Sequence, residues 1–170
     1  MGFKNSRIKI RRRIEIMKKV ASFTILLMLL AFSVFAEDMV KDFTFRTIDG
    51  KTIAYRSLRG APLVVNIGAY WCPDCKNEAP DLQQAYITYK DRGVRFLGVF
   101  AQSGEGDIKK FTDTFKITFP VGRDNGLAKD LGVRVIPVTL FIDKNGRIMK
   151  RYIGAIDYQQ LSSNIEAILK

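Results

Sequence analysis

A short apolar run, Pro62-Leu63-Val64-Val65-Asn66-Ile67-Gly68-Ala69-Tyr70, leads directly into Trp71-Cys72-Pro73-Asp74-Cys75. Gly60-Ala61-Pro62 bound the run on one side and Pro73 on the other, which suits a strand buried on both faces. A helix is expected to follow. Pro73 fits a first helical position, Asp74 supports the first turn, and Ala79, Leu82, Tyr86 and Tyr89 recur on one face until Gly93 ends the pattern. Strand into helix with both faces covered is the start of an α/β layer structure.

The remaining pattern extends that layer. Val94 to Ala101 reads as a second strand, and Gly106 to Lys116 as a helix with Ile108, Phe111 and Phe115 inward. Leu127 to Gly132 reads as a short helix closed by its glycine. The segments PVTLFID and RIMKRYIG flank Lys144-Asn145-Gly146, an Asn-Gly tight-turn signal, and a last helix begins at Asp157 with Gln160 placed for a capping box. Tyr158, Leu161, Ile165 and Ile168 form its inward stripe. Upstream, FTFRTIDGKTIAY reads as an extra hairpin turning at Asp49-Gly50.

At 170 residues and 47% apolar side chains the chain has material for one ordinary core. Its formal charge of +11 suggests nucleic acid until its distribution is followed. Residues 1–36 hold eight of the 28 basic and one of the 17 acidic residues, which leaves a body of 20 against 16 with interspersed signs. That is a solvated surface, not a phosphate-binding stripe. The basic excess belongs to MKKVASFTILLMLLAFSVFAED, two lysines followed by an apolar run and a small residue at Ala36. We read residues 1–36 as a secretory signal cleaved after Ala36, or as an uncleaved membrane anchor, with translation starting at Met1 or Met17. No cysteine follows the run, which disfavours a lipoprotein. Residues 37–170 form the folded domain. Export makes it extracytoplasmic, periplasmic in a bacterium, and in contact with the membrane only through the N-terminal segment.

Cys72 and Cys75 are the only cysteines. In an exported protein a structural disulfide is the plain alternative, but so short a loop gains little from a crosslink in the chain-entropy picture. A four-coordinate zinc site lacks ligands, since the chain has no histidine and no further cysteine. Redox chemistry is the stronger reading. Cys72 is placed at a helix N-terminus, where free N–H groups and the helix dipole favour the attacking thiolate, and Cys75 is placed one turn in to resolve a mixed disulfide.

In this order, WCPDCKNEAP, the strand ending at Asn66, DGKTIAYRSLRGAPLVVN and GVRVIPVTLFIDKNGRI resemble the exported TlpA/ResA-type thiol-disulfide oxidoreductases. The resemblance covers residues 38–170. It implies a thioredoxin fold, a central mixed β-sheet flanked by helices with the extra N-terminal hairpin. Cys72 would be the exposed nucleophile and Cys75 the resolving cysteine. Trp71 would shield one side of the site, Pro73 and Ile136 would touch substrate, and Pro137 would be the cis-proline that presents the Ile136 backbone to an extended client. Ile136 and Val138 would line an apolar client groove. Glu78 would exchange protons with the thiols, against the alternative of a solvated helix glutamate. Asn66 stands where thioredoxins proper carry a buried acid, and Pro80 should bend the helix.

Asp74 is expected to tune the redox poise: a carboxylate beside Cys72 disfavours thiolate, so the pair reads as a reductant. The implied clients are oxidised proteins, apocytochrome c among them, with electrons from a membrane thiol donor and no cofactor besides the Cys72–Cys75 disulfide. A general envelope disulfide reductase is the second reading. A peroxiredoxin-like peroxidase is the third, disfavoured because Ala69 and Val65 stand where that class needs Thr or Ser and Pro.

Overall fold

The structure is a computed structural model and describes Met17–Lys19 and residues 38–170. The rest of the signal or anchor segment lies outside the described residues. No helix among the described residues is long and apolar enough to cross a membrane.

The chain from residue 38 opens with the expected hairpin, β1 (Thr44–Arg46) against β2 (Thr52–Ala54), which turns through Gly50 at φ 82°. The redox segment follows as β3 (Leu63–Gly68) and α1 (Pro73–Tyr89). Next come β4 (Arg95–Phe100), α2 (Glu105–Phe115), β5 (Val121–Arg123) and α3 (Leu127–Asp130). The terminal unit is β6 (Val138–Ile142), β7 (Ile148–Ile153) and α4 (Tyr158–Ile168). The five strands lie in the order β5-β4-β3-β6-β7. The pairs β3/β4 and β4/β5 are parallel, whereas β6 runs antiparallel to both β3 and β7. This is the mixed sheet expected from the sequence, with β3 at its centre.

Strand alternation assigns the two cores. Val64 of β3, Phe96 and Phe100 of β4 and Phe141 of β6 pack with Ala79, Leu82 and Ala85 of α1 and Leu161 and Ile165 of α4. Leu63, Val65 and Ile67, with Leu97, Val99, Leu140 and Ile142, enter a second core on the opposite face, which Phe45 of the hairpin and Leu127 of α3 complete. Asn66 and Gly68 share the α1 face of β3 with Val64, so a polar residue and a gap sit beneath the helix that carries the cysteines.

Local signals explain where that helix and its neighbours start and stop. Cys72 caps α1, Pro73 is its first residue, and a 3-10 turn over Lys90–Arg92 ends at Gly93 in the left-handed conformation. Helix α1 runs unbroken through Pro80. Helix α2 begins one residue before the expected Gly106, because Gly104 already has the extended cap conformation, and stops when Lys116 turns left-handed. On α4 both halves of the capping box are formed: Asp157 accepts from the Gln160 N–H at 2.8 Å and Gln160 accepts from the Asp157 N–H at 3.2 Å.

Candidate active site

Cys72 and Cys75 are joined as a disulfide at the end of β3, with Cα atoms 5.3 Å apart. Cys72 adopts extended dihedrals as the cap of α1, and its Sγ accepts a hydrogen bond from the Cys75 N–H at 3.2 Å. One of the unpaired amides of the first turn therefore points at the sulfur that would become the thiolate, the arrangement that lowers a thiol pKa.

Cys72 is not the exposed residue expected from sequence. It is 5% exposed, against 4% for Cys75, because Ala69 and Ile136 pack over the pair. The surrounding ring is what meets solvent: Trp71 is 48% exposed, and Pro73 and Asp74 are exposed beside it.

The loop before β6 closes the other side. Pro137 is buried and follows Ile136 through a cis peptide bond, as the sequence allowed, and half-buried Ile136 touches the disulfide. Among the described residues no protein group hydrogen-bonds the N–H or C=O of Ile136, so this backbone is available to an extended chain. Val138 is a correction. It was expected to line the client groove, but pairing with Ile67 turns its side chain into the second core at 3% exposure. Val135, more than half exposed, supplies the aliphatic surface instead.

Glu78 is not a solvated helix residue either; it is 2% exposed. Its Oε1 accepts from Asn66 Nδ2 at 2.7 Å and its Oε2 from the Ile156 N–H at 3.1 Å. Burial pushes its pKa up to about 7, those two donors pull it partly back, and the charge of Asp74 adds to the rise. A carboxyl that titrates near neutrality one turn beyond Cys75, on the same side of α1, is suited to proton exchange with the thiols.

Two residues absent from the sequence reading complete the site. Thr139, fully buried, accepts from Asn66 Nδ2 at 3.0 Å and ties β6 to the Asn66–Glu78 pair. Gly68 leaves room for the disulfide: a Cβ there would stand 3.1 Å from Cys75 Sγ and 3.8 Å from Asn66 Oδ1. A lone polar residue inside each of two apolar strand runs was the available signal, since buried polar groups must find partners. Among the described residues no cluster of His, Cys, Asp or Glu side chains has the makings of a metal site.

Residues 36–151 match the model of the AhpC/TSA family. A thiol-disulfide oxidoreductase ResA of Halalkalibacterium halodurans is 30% identical over 135 residues, covering 78% of this chain and 77% of the relative. The chain belongs to the AhpC/TSA family, as a ResA-type thiol-disulfide oxidoreductase. Solved structures of the same fold agree. A thiol:disulfide interchange protein of the thioredoxin family from Chlorobium tepidum superposes with a TM-score of 0.74 at 27% identity, covering 79% of this chain and 97% of that one. A secreted disulfide oxidoreductase of Mycobacterium tuberculosis, homologous to DsbE of E. coli, gives a TM-score of 0.68 at 26% identity over 74% of this chain and 95% of its own. This ResA-type enzyme therefore works by thiol-disulfide exchange, and its cysteine pair is at disulfide distance.

Proposed function

We propose that the chain acts outside the cytoplasm as a reductant of protein disulfides, apocytochrome c among its clients, with electrons from a membrane thiol donor. The observation that carries the reading is the amide of Cys75 directed at Cys72 Sγ, with Ile136, whose backbone N–H and C=O have no protein partner among the described residues, packed against the pair. In the reduced enzyme the Cys72 thiolate attacks one sulfur of the client disulfide; a new S–S bond forms and the client's other sulfur leaves as a thiolate that takes up a proton. Cys75 then loses its proton to the Glu78 carboxylate and attacks Cys72 Sγ. That step releases the second client thiol and leaves the enzyme as the Cys72–Cys75 disulfide, two electrons poorer. A dithiol donor reverses the sequence.

Three features support the reductive direction and the location. Asp74, exposed in the first turn of α1, puts a carboxylate next to the cysteine pair, which disfavours the reduced thiolate. Trp71, Pro73 and Ile136 surround the sulfurs with apolar surface for a protein client. The lysine-led apolar run before Ala36, together with a secreted structural relative, supports export. A peroxidase reading has less to stand on, because Val65 and Ala69 are fully buried apolar residues with no hydroxyl to offer a peroxide.

The test is a Cys75→Ser variant expressed in the native envelope, where it is expected to accumulate mixed disulfides through Cys72. Apocytochrome c in the trapped fraction supports the full reading, and other envelope proteins in its place favour a general reductase. Absence of any trapped protein, with insulin left unreduced by the wild type under dithiothreitol, would overturn the proposal.

A further inference from the structure

Beside the disulfide, a cavity of about 290 Å³ runs between the cis-proline loop and the start of α3. Trp71, Val135 and Ile136 give it apolar walls, and Lys129, Arg134 and Asp124 are its charged residues. The three charges are not equivalent. Asp124 Oδ1 accepts from the N–H groups of Gly126 and Ala128, each at 3.0 Å, so this carboxylate is occupied in capping the start of α3. Lys129 and Arg134 are exposed, and neither makes an ion pair among the described residues. Asp74, the acid nearest the cysteines in sequence, does not line this cavity.

From this we infer that Arg134, assisted by Lys129, selects clients that carry an acidic side chain next to the disulfide to be reduced. The inference rests on the reductase reading above and adds its substrate preference. A client segment lying along Ile136 as an added strand matches residue to residue, so a position about two residues from the one opposite Ile136 falls opposite Arg134. An aspartate or glutamate there meets an unengaged guanidinium with five donors, while its aliphatic neighbours rest on Val135 and Trp71. A lysine in that place meets like charge. The pair is solvent-exposed, so its effect is modest, sensitive to salt, and felt in binding ahead of chemistry.

The experiment uses three synthetic disulfide peptides that differ only in Glu, Gln or Lys two residues either side of the cysteine, with uncharged dithiothreitol as donor. At low ionic strength the Glu peptide is expected to show a KM about three- to fivefold below that of the Gln peptide, with the Lys peptide higher still and kcat common to all. Arg134→Glu is expected to reverse the order, Lys129→Glu to weaken it, and 0.5 M salt to flatten it. Equal KM values for the three peptides in the wild type would overturn the inference while leaving the reductase reading intact, and so would an order that survives in both variants. If none of the peptides is reduced, the reductase reading fails and the preference falls with it.

Discussion

Asn66 Nδ2 donates to Glu78 Oε1 across 2.7 Å, linking the central strand to the helix that carries both cysteines. The bond holds a carboxyl group that burial has moved from 4.5 to about 7, and that displacement has a sign in stability. Because the folded pKa lies above the unfolded one, the native state holds the extra proton between these values. Stability from this group is full below about pH 4.5 and is lost as pH rises through 7. The loss amounts to about 3 kcal/mol at 1.36 kcal/mol per pKa unit, an upper figure for a group with two donors at hand. Urea unfolding of the oxidised protein, with the thiols out of the titration, measures it. Glu78→Gln is expected to gain on the wild type by up to that amount between pH 4.5 and pH 8.5, and parallel profiles would mean that Glu78 does not titrate in this range.

Replacing Asn66 by Ala tests the same link from the strand. It removes the amide that favours the ionised carboxylate, so the Glu78 pKa is expected to rise above about 7, and it strands Thr139 Oγ1 without this donor. The cost in stability is about 1–3 kcal/mol for groups left unsatisfied in the interior. The pH limb of insulin reduction governed by Glu78 moves upward with the pKa. With two thiols and a carboxyl coupled, that limb belongs to the cluster and not to one residue. An unmoved limb would exclude Glu78 from the proton path.

The thiols themselves are expected to separate on reduction. Cys72 faces the Cys75 N–H at the helix terminus and is expected to be alkylated first. Equilibration with glutathione and dithiothreitol buffers is expected to give a potential of roughly −220 to −280 mV. Asp74→His removes a like charge and supplies a cation near the thiolate, so the potential rises. Because Asp74 is exposed, the rise shrinks with added salt. A wild-type value near −120 mV, the oxidising end of the scale, would sink the reductive reading.

What could be read ahead of the structure followed local rules. The apolar run of β3, the Asp49-Gly50 turn and the Asp157–Gln160 box each depend on neighbours a few residues apart, and each formed as expected. The departures came from contacts distant in sequence. Cys72 looked exposed because Ile136, which covers it, belongs to the loop before β6, distant in sequence from the cysteine pair. Val138 looked like a groove residue until register with Ile67 turned it inward. Glu78 in isolation is an ordinary helix glutamate; its burial follows from Asn66 on β3 and the backbone of Ile156 before α4 closing over it. Pattern reading supplied the elements and the chemistry of the pair, whereas tertiary pairing determined which side chains reach solvent.

Gly68 offers a way to separate the two halves of the exchange. The residue ends β3 on the face that looks toward α1, and a methyl there would meet Cys75 Sγ at 3.1 Å and Cys75 Cβ at 3.4 Å. The distance to Sγ is tight, so Gly68→Ala displaces the Cys75 side chain by a few tenths of an ångström, at a stability cost of about 1–3 kcal/mol for overpacking. The geometry of Cys72 is set elsewhere, by the cap of α1 and by Ala69. Attack on the client is therefore expected to keep its rate, while resolution slows several-fold because Cys75 must line up with the bond it breaks. Stopped-flow mixing with a fluorescent disulfide peptide, quenched by acid, follows both steps. The variant is expected to accumulate the Cys72 mixed disulfide that the wild type clears, and an unchanged clearance rate in a folded Gly68→Ala protein would show that the space opposite Cys75 is not needed for its attack.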